Sequence, residues 1–168
     1  WEGKNVDHLR QPVWSHDGKS VAALATGNEG PELWRMSADG TTRERTALQG
    51  RPSFPAWTRT GEVACISTDG GGPRLSIPCG APALRFDPDL DVIGPLAFAA
   101  DGNEVYFASP SDQGMVELWT ADLVTSRARR LSSFSSDAYA PSIAIDGTSV
   151  FKVQSYRTFL AHLPAAAG

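Results

Sequence analysis

The sequence predicts an all-β protein, a β-propeller built of about four four-stranded antiparallel blades. Three observations lead to this prediction: a motif that recurs about every 43 residues, short β-rich runs between turns, and no sustained helical period. The 168 residues include 16 Gly and 12 Pro, and these residues interrupt every segment that could otherwise form a helix. A repeat of roughly 40–45 residues that contains four strands is typical of a propeller blade.

Each repeat opens with an apolar strand that ends at a glycine turn. The glycines follow one another at steps of 43, 41 and 45 residues and are Gly18, Gly61, Gly102 and Gly147. A large apolar residue stands four positions before each of them: Trp14, Trp57, Phe98 and Ile143. Asp precedes the glycine in three units and Thr60 in the second. Because Asp and Gly both tolerate positive φ, we expect a tight hairpin at each site.

Three further strands follow in each complete unit. The second strands begin at Val21, Val63, Val105 and Val150. A turn cluster and a third strand come next, and the fourth strands end near Leu48, Phe86 and Leu131. The predicted blades span residues 11–50, 51–90, 94–135 and 140–168, within one domain that covers 1–168. The last unit stops after its third strand, and residues 4–10 are predicted to supply an extra fourth strand.

The first unit resembles the WD40-like (PD40) repeat of TolB-like propellers. The resemblance rests on Pro12-Val-Trp-Ser-His-Asp-Gly18, Leu33-Trp34 and Ala38-Asp-Gly-Thr41, and weaker copies extend it over nearly the whole chain. This family includes the periplasmic propeller of the Tol–Pal system and the substrate-gating propellers of prolyl-oligopeptidase-like enzymes. The resemblance implies a propeller fold and favours a periplasmic or secreted location, although no signal peptide is present.

The number of blades leaves three arrangements open. The chain is an open arc from a larger ring, half of an eight-bladed ring completed by a second copy, or a closed four-bladed ring. Completion of a ring would hide sheet edges that otherwise invite aggregation.

Composition argues against two classes of partner. The net charge is −4, from 15 Lys and Arg against 19 Asp and Glu, whereas nucleic-acid binding requires a basic face. No apolar run approaches the roughly 20 residues that span a bilayer. We therefore expect neither a nucleic-acid partner nor a membrane span.

Candidate metal ligands are weak, and we predict no cofactor. Asp87, Asp89 and Asp91 alternate as at the start of a calcium loop. Val92 stands where such a loop needs Gly, and Phe98 stands in place of its closing acid, so an acidic interblade loop is favoured. The histidines, which are His8, His16 and His162, are expected on the surface.

The cysteines and tryptophans have mainly structural interpretations. Cys65 and Cys79 are interpreted mainly as two small apolar residues, and a disulfide across one hairpin is the alternative. The recurrent register of four tryptophans predicts packing between blades rather than ligand stacking. They are Trp14, Trp34, Trp57 and Trp119.

The leading functional hypothesis is a non-catalytic binding module that recognises a protein, peptide or small molecule through loops on one face. The candidate loop residues are Asn28, Glu29, Asp69, Asp112, Gln113, Tyr139, Tyr156 and Arg157. The alternative is the substrate-gating propeller of a prolyl-oligopeptidase-like hydrolase; a polysaccharide-processing propeller enzyme is a third, weaker one. No Gly-x-Ser-x-Gly nucleophile elbow occurs in the sequence.

Overall fold

The computed structural model describes residues 6–68, 70–132, 137–143 and 149–154, which form four antiparallel sheets without a helix. The first sheet, in spatial order, is β1 (Val6–Trp14), β2 (Ser20–Gly27), β3 (Gly30–Ser37) and β4 (Arg43–Ala47). The second is β5 (Ser53–Trp57), β6 (Val63–Thr68) and β7 (Pro73–Ser76). The third is β8 (Ile93–Phe98), β9 (Glu104–Pro110), β10 (Val116–Asp122) and β11 (Ala128–Arg130). The fourth pairs β12 (Asp137–Ile143) with β13 (Ser149–Gln154).

The all-β blade architecture is confirmed, but two strand assignments are wrong. Residues 6–10 are the first half of β1 and pair with β2, so they do not form the separate fourth strand predicted for 4–10. The second sheet lacks its predicted fourth strand. Prolines interrupt that segment at Pro78, Pro82 and Pro88, and proline has no N–H for a strand ladder. The third strand predicted for the last unit lies outside the described residues.

A serine and an aspartate stabilise two turns of the first blade. In the β1–β2 turn, the Ser15 hydroxyl donates to Asp17 Oδ1 (2.6 Å) and the Gly18 N–H donates to the Ser15 carbonyl (3.0 Å). Ser37, Asp39 and Gly40 repeat the arrangement after β3. In the three Asp-Gly turns that the structure describes, at Gly18, Gly40 and Gly102, the glycine has positive φ and the aspartate does not. The aspartate contributes through its carboxylate, which accepts turn hydrogen bonds.

The blades stack through their apolar faces. The first core joins the first and second sheets and is formed by Ala22, Leu24, Leu33, Leu48, Trp57, Val63, Cys65 and Cys79. A second core joins the second and third sheets, where Phe86 stacks on Phe107 with ring centroids 5.6 Å apart. The first three sheets thus bury apolar side chains against a neighbouring sheet, as a repeat fold requires.

The first strand of each sheet is the innermost, and all four carry a bulge. β1 packs beside β5, β5 beside β8, and β8 beside β12, whereas the described part of the chain shows no comparable packing of β12 on β1. The register shifts before Val13, Ala56, Ala97 and Ser142. Gln11 and Phe54, at two of the bulges, have φ of 52° and 50°, a conformation that non-glycine residues rarely adopt. The Gln11 side chain accepts a hydrogen bond from the Phe54 N–H (2.8 Å) and so couples two bulges.

Cys65 and Cys79 form a disulfide within the second sheet, with their Cα atoms 5.0 Å apart. Of the two interpretations of these cysteines, the structure shows the paired one. The bond ties the irregular segment after β7 back to β6, where the Cys79 N–H also donates to the Val63 carbonyl (2.6 Å). The covalent link thus holds this segment against the sheet, as the hydrogen bonds of a fourth strand would otherwise do.

The Asp39 carboxylate should stabilise the fold in a pH-dependent way. The Ser37 hydroxyl, then the Thr41 N–H and hydroxyl, lower the pKa of Asp39 from 3.8 to about 2. Its stabilisation is therefore present above the unfolded pKa and lost as the pH falls toward 2. We expect Asp39→Asn to lower the urea midpoint at neutral pH, with the difference from wild type shrinking below the unfolded pKa. Asp112→Asn, at another exposed turn, controls for the loss of charge; a difference independent of pH would contradict this account.

Removing the disulfide should destabilise the second blade. The cysteines are separated by 14 residues, and a loop of this size constrains the unfolded chain by about 3 kcal/mol. We expect the double variant Cys65→Ala/Cys79→Ala to lose about this free energy of unfolding in urea titrations. Reduction of the wild-type chain should cause a similar loss. An unchanged urea midpoint after reduction would show that the bond does not form.

Candidate functional site

The four innermost strands border one concave cavity of about 380 Å³, which we call the central cavity. Each strand contributes one proline to its lining: Pro12, Pro55, Pro95 and Pro141. Larger apolar side chains complete the wall and include Trp14, Phe54, Leu96 and Ile143. The prolines directly follow the bulge positions, where a residue without an N–H leaves no ladder donor unpaired. The bulges therefore shape the wall of the cavity.

The central cavity offers apolar surface and little acid–base chemistry. Among the described residues that line it, only His16 carries an ionisable side chain. His16 Nε2 lies 3.0 Å from the Trp57 carbonyl, which can only accept, so this nitrogen is the donor. The Gln11 amide oxygen is likewise engaged, by the Phe54 N–H. This lining suits an apolar ligand group.

Trp14 and Trp57 occupy the same repeat position but differ in their surroundings. Trp57 is 6% exposed, and its Nε1 donates to the Val13 carbonyl of the preceding blade (3.1 Å). The guanidinium carbon of Arg35 lies 5.0 Å from the Trp57 ring centroid. Trp14 is 63% exposed and lines the central cavity. The expectation of interblade packing therefore holds for Trp57 but is wrong for Trp14, because no blade in the described part of the chain precedes the first.

The predicted loop residues do not form one site in the described structure. Asp112 and Gln113 share a cavity of about 410 Å³ with Asp89, from the loop between the second and third blades. Asn28 and Glu29 line a separate cavity of about 170 Å³. Tyr139 lies in β12, where its backbone pairs with Lys152. Three candidates fall outside the described residues: Asp69, Tyr156 and Arg157.

The weak calcium candidates face cationic partners. Asp89 Oδ2 lies 3.2 Å from Nη2 of Arg74 and 3.2 Å from Nη1 of Arg85, and Asp91 pairs with Arg74. The backbone of Asp87 bonds instead to the segment before β11, where its N–H donates to the Ser126 carbonyl (2.8 Å). No group of three or more His, Cys, Asp or Glu suited to a metal ion occurs among the described residues. Arg74 is thus the counter-charge of the acidic loop.

The central cavity was not among the predicted sites, although the sequence contains a signal for it. Proline stands two positions before the apolar repeat residue in three units: Pro12, Pro55 and Pro141. The third unit carries Pro95 one place earlier, because its bulge places three residues of β8 opposite one residue of β9. The recurrent proline marks the cavity wall.

The described chain also contains no helix that is long and apolar enough to cross a membrane.

The fold is similar to those of solved propellers. The crystal structure of TolB from Acinetobacter baumannii superposes with a TM-score of 0.69 and 20% identity, over 88% of this chain and 40% of that one. The putative TolB from Agrobacterium tumefaciens gives a TM-score of 0.64 and 19% identity, over 88% of this chain and 53% of that one. The crystal structure of the tricorn protease superposes with a TM-score of 0.51 and 15% identity, over 84% of this chain and 14% of that one.

These similarities are structural. No protein-family model and no curated protein matches the sequence. The chain spans about half or less of the length of the solved structures it resembles. At such low identity the likeness establishes the fold alone: the chain has the β-propeller fold seen in the TolB structures.

Proposed function

We propose that this chain is a non-catalytic binding module whose ligand occupies the central cavity. The observation that carries the proposal is the convergence of four innermost strands on one apolar concavity. Its volume of about 380 Å³ falls within the roughly 300–1,000 Å³ of small-molecule and cofactor sites. Hydrogen-bonded strands hold its wall in place, so binding there requires little ordering of the protein.

The lining favours a ligand with an apolar group, such as a short peptide with an apolar or aromatic side chain. Trp14 presents an exposed indole ring at the cavity, and exposed aromatic residues are strong anchors in recognition. The proline rings of Pro12 and Pro55 add rigid apolar surface. Two of the polar groups in the lining, the Gln11 amide oxygen and the His16 imidazole, already bond to the backbone. Recognition would therefore depend on shape and apolar contact more than on charge.

A second candidate is the substrate-gating part of a hydrolase. The tricorn protease contains a region that superposes on 84% of this chain, which favours this alternative. A Gly-x-Ser-x-Gly motif within an α/β domain of the surrounding reading frame would favour gating, and its absence there would favour the stand-alone binding role.

An oxidising compartment fits the disulfide. Structural disulfides persist in the periplasm and outside cells and are rare in reducing cytosol. The Cys65–Cys79 bond lies in the core between the first two blades, where both residues are buried. We therefore extend the proposal to a periplasmic or secreted location.

Selection of ligands from a phage-displayed library of short random peptides tests the cavity directly. Ser142 is exposed and lines the central cavity, so Ser142→Trp would fill it without disturbing a core. We expect this variant to lose at least about tenfold in affinity for the selected peptides. Gln113→Trp, which places the same bulk on the predicted loop surface, should bind as wild type.

The reverse pattern would move the site to the loops: full affinity of Ser142→Trp together with a loss in Gln113→Trp. Failure to enrich any peptide with apolar residues would count against the ligand class. Circular dichroism and the urea midpoint of both variants establish that the blades remain folded.

A further inference from the structure

A second, polar pocket of about 360 Å³ lies between the hairpin turns of the first two blades, and we call it the joint pocket. It is formed by the β1–β2 turn, the β5–β6 turn and Arg35 of β3. It contains two guanidinium groups, those of Arg35 and Arg59. Neither the predicted loop site nor the proposed use of the central cavity accounts for this pocket.

The two arginines are partly buried and each is held by one backbone carbonyl of the next blade. Arg35 Nη2 donates to the Gly61 carbonyl (3.2 Å), and Arg59 Nε donates to the Ala99 carbonyl (3.3 Å). A guanidinium has five N–H donors, so each side chain keeps several for another acceptor. No carboxylate of the described residues lies within salt-bridge distance of either group.

Arg74, a buried arginine outside the joint pocket, has carboxylate partners. Its side chain is 11% exposed and pairs with both Asp89 and Asp91. The arginines of the described chain that are not exposed are Arg35, Arg59 and Arg74. Two of these lack a counter-charge, and both line the joint pocket. Both side chains keep partial contact with water and Arg35 also lies over the Trp57 ring, so the pocket presents accessible guanidinium N–H donors that no carboxylate of the described residues occupies.

The sequence of the second repeat departs from the others at this pocket. Asp precedes the turn glycine in the first, third and fourth units, but Thr60 stands there in the second, next to Arg59. Thr60 Oγ1 bonds to the Thr58 hydroxyl (2.9 Å) and donates to Glu62 Oε2 (3.4 Å), so the carboxylate at this turn is that of Glu62, which does not line the joint pocket. The unit therefore has an added cation where the repeat would supply a carboxylate.

Asp17 is the one carboxylate among the described lining residues, and its own turn engages it. It accepts hydrogen bonds from the Ser15 hydroxyl (2.6 Å) and the Lys19 N–H (3.0 Å). Two guanidinium charges against one carboxylate leave the pocket with an excess of positive charge, in a chain whose net charge is −4. Guanidinium groups bind carboxylate and phosphate oxygens through paired N–H donors.

We propose that the joint pocket binds an oxyanion, a phosphate or carboxylate group carried by a ligand, between Arg35 and Arg59. The anion supplies the counter-charge that the second repeat lacks. It also links the first two blades, since Arg35 lies on β3 of the first and Arg59 in the β5–β6 turn of the second.

Titration with inorganic phosphate and with acetate, at ionic strength held constant with sodium chloride, tests this site. The indole N–H resonance of Trp57 reports on the pocket because Arg35 lies over that ring. We expect a saturable shift with at least one anion. Arg59→Gln should lower the affinity at least about tenfold, as expected for loss of a charged hydrogen-bond donor. Arg51→Gln removes the same charge at an exposed position outside the pocket and should bind as wild type.

Thr60→Asp restores the residue found in the other repeats and leaves both arginines in place. It should also lower the affinity at least about tenfold, because the new carboxylate competes for Arg59. Saturation by phosphate alone identifies a phosphoryl ligand, and saturation by acetate alone identifies a carboxylate ligand. The proposal is overturned if neither anion gives a saturable shift, if Thr60→Asp binds as wild type, or if Arg51→Gln weakens binding as much as Arg59→Gln.

Discussion

The structure depends on the packing of an aromatic residue of the second and third blades, Trp57 and Phe98, at the joint with the blade before. Trp57 is buried at the first joint, where its indole donates to the Val13 carbonyl and its ring lies under Arg35. Phe98, at the same repeat position, is buried in the next core. One blade cannot bury its apolar face alone, so these joints place the innermost strands side by side. The central cavity and the joint pocket are both consequences of this stacking.

Much of the fold could be predicted because glycine and aromatic residues recur in register. The errors arose where a unit departs from the repeat. Residues 6–10 continue directly into β1, so their β-rich character indicated a longer strand rather than an additional one. Prolines in the second unit removed donors that its fourth strand needed, and the disulfide fastens that segment instead. At both places the residues of the individual unit, rather than the repeat pattern, determine which strands form.

The sites are harder to predict from the sequence, because loops indicate a binding face only by analogy with other propellers and their own residues specify no chemistry. The structure unites Asp112, Gln113 and Asp89 but assigns Asn28 and Glu29 to another cavity. The walls of both proposed sites depend on residues far apart in sequence. Arg35 and Arg59 come together only when the first two sheets stack. The replacement of the repeat's Asp by Thr60 was visible in the sequence, but its electrostatic consequence required the neighbouring arginines.

The central claim is that a blade's aromatic residue is stabilised by the preceding blade. Urea unfolding of Trp57→Phe and Trp14→Phe compares the same substitution with and without such a neighbour. Trp57→Phe should cost about 1–3 kcal/mol, since it removes a buried hydrogen bond and leaves the Val13 carbonyl without its indole partner. Trp14→Phe should change the free energy of unfolding by less than about 0.5 kcal/mol, as exposed substitutions do. Equal losses in the two variants would contradict the account.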